Sequence, residues 1–160
     1  MQARLAYSKA APGAYKAMLA FNDYGDTCGL ELSLLDLVKT RASQINGCAY
    51  CLDMHYKDAR ASGETEQRLF GLDAWRESPY YTERERAALA LTEAVTLITD
   101  GHVPDDVYEQ AKQQFSDEEL MNLVTNIIII NAWNRYCITF RSVPGAYQSD
   151  RVPSPVAAHA

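Results

Sequence analysis

With 160 residues and 48% hydrophobic content, the chain is long enough to enclose one substantial core and short for two, so a single domain is expected. Its 21 acidic against 15 basic side chains leave a formal charge of -6, which offers no field to hold a phosphate backbone or an anionic bilayer; neither nucleic acid nor a membrane is an expected partner. The N-terminus lacks the apolar run of a secretory signal and no stretch reaches the roughly 18 uncharged apolar residues that cross a bilayer, which makes a reducing cytoplasm the expected compartment.

Residues 13–24 carry Ala14, Tyr15, Met18, Leu19 and Phe21 near a helical period and meet a stop signal at Gly25-Asp26, which predicts a short first helix. In residues 31–45, Leu34, Leu35, Val38, Ala42 and Ile45 form one apolar stripe ended by Asn46-Gly47, and this helix delivers the chain to Cys48. A helix from Cys48 through His55 to Ser62-Gly63 follows. A further piece spans residues 65–75, with Thr65 as cap and Leu69, Leu72 and Trp75 inward.

Thr82 and Glu85 have capping-box spacing and open a helix to about Thr99, with Ala87, Ala88, Leu91, Val95 and Ile98 inside. Pro104-Asp105-Asp106 starts another, which ends near Phe115. Ser116 and Glu119 repeat the capping box ahead of a long helix through Ile138, whose four isoleucines, Ile127 to Ile130, cover every side of one turn and imply a core helix or a subunit interface. A short strand is the competing reading of that run, opposed by Asn126, Asn131 and the acidic start. Residues 144–160, rich in Pro, Ser and Ala, read as a flexible tail or an arm exchanged with a neighbouring subunit. The whole is all-α, with six to seven helices in a domain of residues 1–143.

The segment Gly47-Cys48-Ala49-Tyr50-Cys51-Leu52-Asp53-Met54-His55 carries the chemistry. Offsets of three and four residues put Cys48, Cys51 and His55 on one helix face. Unpartnered amides at a helix start favour a thiolate at Cys48, whereas Cys51 leans on the imidazole of His55. Two thiols one turn apart complete a cycle that a lone cysteine cannot: one attacks an electrophilic oxygen or a disulfide and the other closes an internal disulfide. The residues leave open dithiol redox chemistry, metal binding through the pair and His55, and an inert pair. Cys28 and Cys137 read as small core fillers, and with His102 they lack the spacing of a second ligand cluster. No strand followed by a Gly-rich turn indicates a nicotinamide or flavin.

Residues 37–55, from Leu37-Val38-Lys39-Thr40-Arg41 to Met54-His55, resemble the core of the alkylhydroperoxidase D and carboxymuconolactone decarboxylase family. The likeness continues through Ala59-Arg60-Ala61-Ser62-Gly63-Glu64-Thr65, Trp75-Arg76-Glu77-Ser78-Pro79 and Thr82-Glu83-Arg84-Glu85-Arg86, and more weakly over residues 122–135. The resemblance implies an all-helical fold assembled as a trimer or hexamer and reduction of hydroperoxides by thiols. It implies Cys51 as the attacking thiol, Cys48 as the resolving one and His55 in the proton relay, with no bound cofactor or metal and an external dithiol or lipoyl-type reductant. Asp36 stands where peroxidase members carry glutamate, Glu31 being a poor substitute, and Tyr50 stands where the best-known peroxidase has histidine. The decarboxylase branch, a lyase that needs no dithiol, and a non-catalytic redox sensor are the alternatives. Arg41 reads mainly as solvated or ion-paired, and Trp75, Trp133 and Asn134 as core or interface residues.

Overall fold

The structure, a computed structural model, describes residues 2–152. Every regular element among them is helical: α1 (Tyr7–Ala10), α2 (Pro12–Thr27), α3 (Leu32–Asn46), α4 (Ala49–Ala61), α5 (Glu66–Phe70), a 3-10 turn (Leu72–Ala74), α6 (Glu83–Thr96), α7 (Asp105–Gln114) and α8 (Asp117–Phe140). The count exceeds the six to seven helices expected because α1 was not anticipated. Four residues are too few to show a period. No helix is long and apolar enough to cross a membrane among the described residues.

Helix α3 is the axis of the fold, packed against α6, α8 and α4. Residues Leu34 through Thr40 are all buried, so the helix is enclosed on every side rather than along one stripe. Leu35, Val38, Ala88, Leu91, Leu123 and Ile127 make the main core. Both capping boxes form, with Thr82 and Ser116 each accepting from the amide three residues on and the glutamates returning the bond.

Several local expectations are corrected. Gly25 does not stop the first helix: α2 continues to Thr27, and Gly25 lies against α8 where an added Cβ would sit 2.6 Å from Ile129 Cδ1 and 2.8 Å from Asn126 Oδ1. Its lack of a side chain serves helix contact, not termination. The 65–75 segment splits at Gly71 into α5 and the 3-10 turn, although Thr65 caps it and Leu69, Leu72 and Trp75 are buried as expected. Helix α6 ends at Thr96, which leaves Ile98 exposed rather than inside. Residues 127–130 are helical, but Ile128 is 47% exposed while Ile127, Ile129 and Ile130 are buried. The face of α8 that carries Ile128 and Met121 is left uncovered by the rest of the chain among the described residues.

Of the segment expected to form a tail, residues 144–152 are irregular and run back along α4 toward α3. The Asp53 carboxylate accepts from the Gly145 amide (2.9 Å), Lys57 donates to the Tyr147 carbonyl (3.0 Å), and the Tyr147 hydroxyl donates to Asp58 (2.7 Å). Residues 153–160 lie outside the described residues.

Candidate active site

Gly47 at φ 66° closes α3 in the left-handed conformation, and its amide and that of Cys48 return to the Gln44 and Ser43 carbonyls. Cys48 is then the extended N-cap of α4, and Cys51 falls in its first turn. The reversal is held by buried Asn134 of α8, whose carbonyl oxygen accepts from Asn46 (2.8 Å) and whose amide donates to Ser43 (3.1 Å). Asn134 is thus a structural residue, as expected, and it places the last turns of α8 over the start of α4.

One turn past Asn134, Cys137 meets the pair. The sulfurs of Cys48, Cys51 and Cys137 lie within 4.8 Å of one another, and all three residues are buried. Cys137 is packed in a small core cluster, as expected, and is also a member of the thiol cluster, which was not. Its distance in sequence hid it, because no local spacing joins α8 to α4. Cys28 is half-buried against the main core and accepts a bond from Asn126, as a packing cysteine would.

The close approach of Cys48 and Cys51, with Ser142 and Tyr7 as lesser polar neighbours, pushes the Cys137 thiol down to about 3 against the opposing effect of burial. Beside Cys137, Cys48 is correspondingly pushed up to about 11 and Cys51 is also raised. Ser142 reaches this position because Arg141 adopts φ 55° at the end of α8. Burial chiefly drives the Tyr7 hydroxyl up to about 12, so it remains a proton donor at neutral pH.

Cys51, Cys137 and His55 line a cavity of about 230 Å³ with Tyr7, Tyr15, Leu19, Tyr50, Met54 and Trp133. His55 is buried, and neither ring nitrogen makes a hydrogen bond among the described residues. Desolvation, with the charges of Lys39 and Arg151, lowers His55 to about 3, so the ring is neutral and able to accept. No hydrogen bond joins it to Cys51 among the described residues. Trp133 belongs to the cavity wall as well as to the α8 packing, and Tyr50 lines the cavity while packing against the three cysteines.

Asp36 is buried on α3 and does not line this cavity. Both its oxygens accept from Arg151 Nη1, at 2.7 and 2.8 Å, yet burial outweighs this bond and lifts the carboxyl to about 6. Lys39 is buried at the cavity and pairs with Asp26 at 2.5 Å. Glu31 pairs with Arg84 away from the thiols. Arg41 is ion-paired, as expected, to Glu93, which also accepts from Trp75 Nε1 at 2.9 Å. Sequence reasoning missed Cys137, Tyr7, Lys39 and Arg151 as neighbours of the site. A lysine within the family-like stretch was the only local signal among them.

Three buried thiols this close can pass a proton, exchange a disulfide or bind a thiophilic ion. The fold compares with known proteins as follows. The chain is 42% identical over 138 residues to the uncharacterised protein YdfG of Bacillus subtilis (strain 168), covering 86% of this chain and 94% of that one. A crystal structure of a protein of unknown function from Agrobacterium tumefaciens, described as a putative antioxidant defence protein AhpD, is 45% identical and superposes with a TM-score of 0.88 over 91% of this chain and 100% of the other. An uncharacterised peroxidase-related protein from Ralstonia eutropha JMP134 with an alkylhydroperoxidase AhpD core shares the fold at 19% identity, with a TM-score of 0.74 over 87% and 74% of the two chains. The profile of the carboxymuconolactone decarboxylase family matches residues 12–94, and with these relatives it shows that the chain belongs to that family, as a single-core AhpD-like member bearing the Cys48 and Cys51 pair.

Proposed function

We propose that the protein is a thiol-dependent peroxidase that reduces an apolar hydroperoxide. The observation that carries the reading is the placement of Cys51 in an apolar cavity beside neutral His55, with a second thiol, Cys48, within 4.8 Å. Cys51 attacks the terminal peroxide oxygen, the O–O bond breaks, and the alkoxide leaves as the alcohol after gaining a proton. Cys48 then displaces water from the sulfenic acid, and an external dithiol or lipoyl-type reductant reopens the disulfide. No bound cofactor is required.

His55 takes the Cys51 proton, directly or through one water, and returns it to the alkoxide. Asp36 occupies the place of the family glutamate but acts as a positioning residue here: with both oxygens bonded to Arg151, it fixes a charge that adds to desolvation in keeping His55 neutral. The exposed Met121 and Ile128, two turns apart on α8, support assembly into a homo-oligomer.

Peroxide consumption with dihydrolipoamide as donor tests the reading. Cys51→Ser is expected to abolish it. Consumption by that variant at the parental rate would rule the assignment out.

A further inference from the structure

Two hollows meet at the thiols. The apolar cavity is lined by Cys51 and Cys137 and not by Cys48. A second cleft, of about 180 Å³, is lined by Cys48 and Cys137 and not by Cys51, with Gly47, Arg141, Ser142 and Pro144 around it. Cys137 is the one sulfur on both. Disulfide chemistry confined to Cys48 and Cys51 has no use for it, although its sulfur lies within 4.8 Å of both.

We propose that Cys137 is a third redox thiol, which takes the disulfide from Cys51 at the apolar cavity and presents it with Cys48 at the second cleft, where the external dithiol reacts. This rests on the peroxidase reading and replaces its direct closure of Cys48–Cys51 with a step through Cys137. The three sulfurs are close enough that each pair needs only side-chain rotation and small shifts to bond.

The cycle begins with Cys137 as thiolate and Cys48 and Cys51 as thiols, the direction in which their close approach shifts them. Cys51 attacks the peroxide as His55 passes its proton to the departing alkoxide, giving a Cys51 sulfenic acid and the alcohol. The Cys137 thiolate attacks the Cys51 sulfur, forming the Cys51–Cys137 disulfide and releasing hydroxide, which takes the Cys48 proton and leaves as water. Cys48 thiolate then attacks the Cys137 sulfur, forming Cys48–Cys137 and freeing Cys51 as thiolate. The charge of the cluster is unchanged throughout. Two electrons pass from two thiols to the O–O bond, and an external dithiol restores them by opening Cys48–Cys137 from the cleft.

The linkage is tested on the unaltered protein. One equivalent of diamide, which oxidises thiols in pairs without a peroxide, is followed by alkylation and tryptic peptide mapping. Arg135 and Arg141 bracket Cys137, so trypsin separates it from the peptide that carries both Cys48 and Cys51. A disulfide joining the two peptides is expected, at Cys48 in Cys51→Ser and at Cys51 in Cys48→Ser. Complete alkylation of Cys137 beside an oxidised Cys48–Cys51 loop would overturn the relay.

Turnover supplies the second measurement. Cys137→Ala is expected to lose about tenfold or more in dithiol-supported kcat, while Cys28→Ser stays at the parental value. Parental kcat in Cys137→Ala would overturn the relay even with the linkage present. A parent that consumes no peroxide but forms the Cys137 linkage would defeat the peroxidase reading alone.

Discussion

Arg151 places one nitrogen between the two oxygens of Asp36, at 2.7 and 2.8 Å, across 115 positions of sequence. The pair ties the irregular segment after α8 to the central helix. Asp36 is almost wholly enclosed, and the Arg151 side chain is 21% exposed. Removing the guanidinium strands a buried carboxylate, so Arg151→Ala is expected to lose about 2–3 kcal/mol by urea denaturation at pH 7, more than removal of an exposed arginine.

Asp36 and His55 act on stability with opposite sign. The folded Asp36 carboxyl, raised from 3.8 to about 6, binds a proton more tightly than in the unfolded chain. Its contribution is full below 3.8 and is lost as pH rises through about 6. His55, lowered from 6.5 to about 3, binds a proton less tightly when folded, so its contribution is full above 6.5 and is lost as pH falls toward 3. The slopes oppose each other between pH 4 and 6. Asp36→Asn is expected to unmask stability that rises with pH in that range, and His55→Gln stability that falls with it. Equal slopes in parent and variants, measured by denaturant titration at several pH values, would contradict the two shifts.

The same burial predicts that the His55 ring protons keep one chemical shift from pH 8 to 5. Replacement of His55 by phenylalanine is expected to lower peroxide reduction by about 100-fold with the fold retained, as removal of a general base does.

Gly25→Ala tests the approach of α2 to α8. The new Cβ would press on Ile129 and Asn126, both buried. A loss of about 1–3 kcal/mol in chemical denaturation is expected, whereas Gly13→Ala, with open space around its Cβ, should be neutral or slightly stabilising.

Met54 lines the apolar cavity, and a larger side chain there should reject bulky substrates first. Met54→Trp is expected to raise KM for cumene hydroperoxide about tenfold relative to that for hydrogen peroxide. An equal change for both would place the reaction elsewhere.

Much of this architecture is legible in the residues. Thr82 with Glu85 and Ser116 with Glu119 mark two helix starts because a hydroxyl and a carboxylate three residues apart satisfy the same orphan amides. Gly47 marks the turn before the thiols for an equally local reason. Gly25 misleads, since a glycine that ends a helix and one that lets two helices touch look alike until the partner is seen. Ile128 misleads in the same way, because burial depends on what lies opposite.

The sequence alone determined the all-helical class and the one-turn spacing of Cys51 from Cys48 and of His55 from Cys51, since helical geometry fixes the relation of residues three and four apart. Only tertiary structure decided that Cys137 completes the thiol cluster, that Arg151 covers Asp36, and that His55 is buried without a hydrogen-bonding partner among the described residues. Those relations are set by how α3, α4 and α8 pack and by where the segment after α8 returns. Packing brings together side chains between which no periodicity runs.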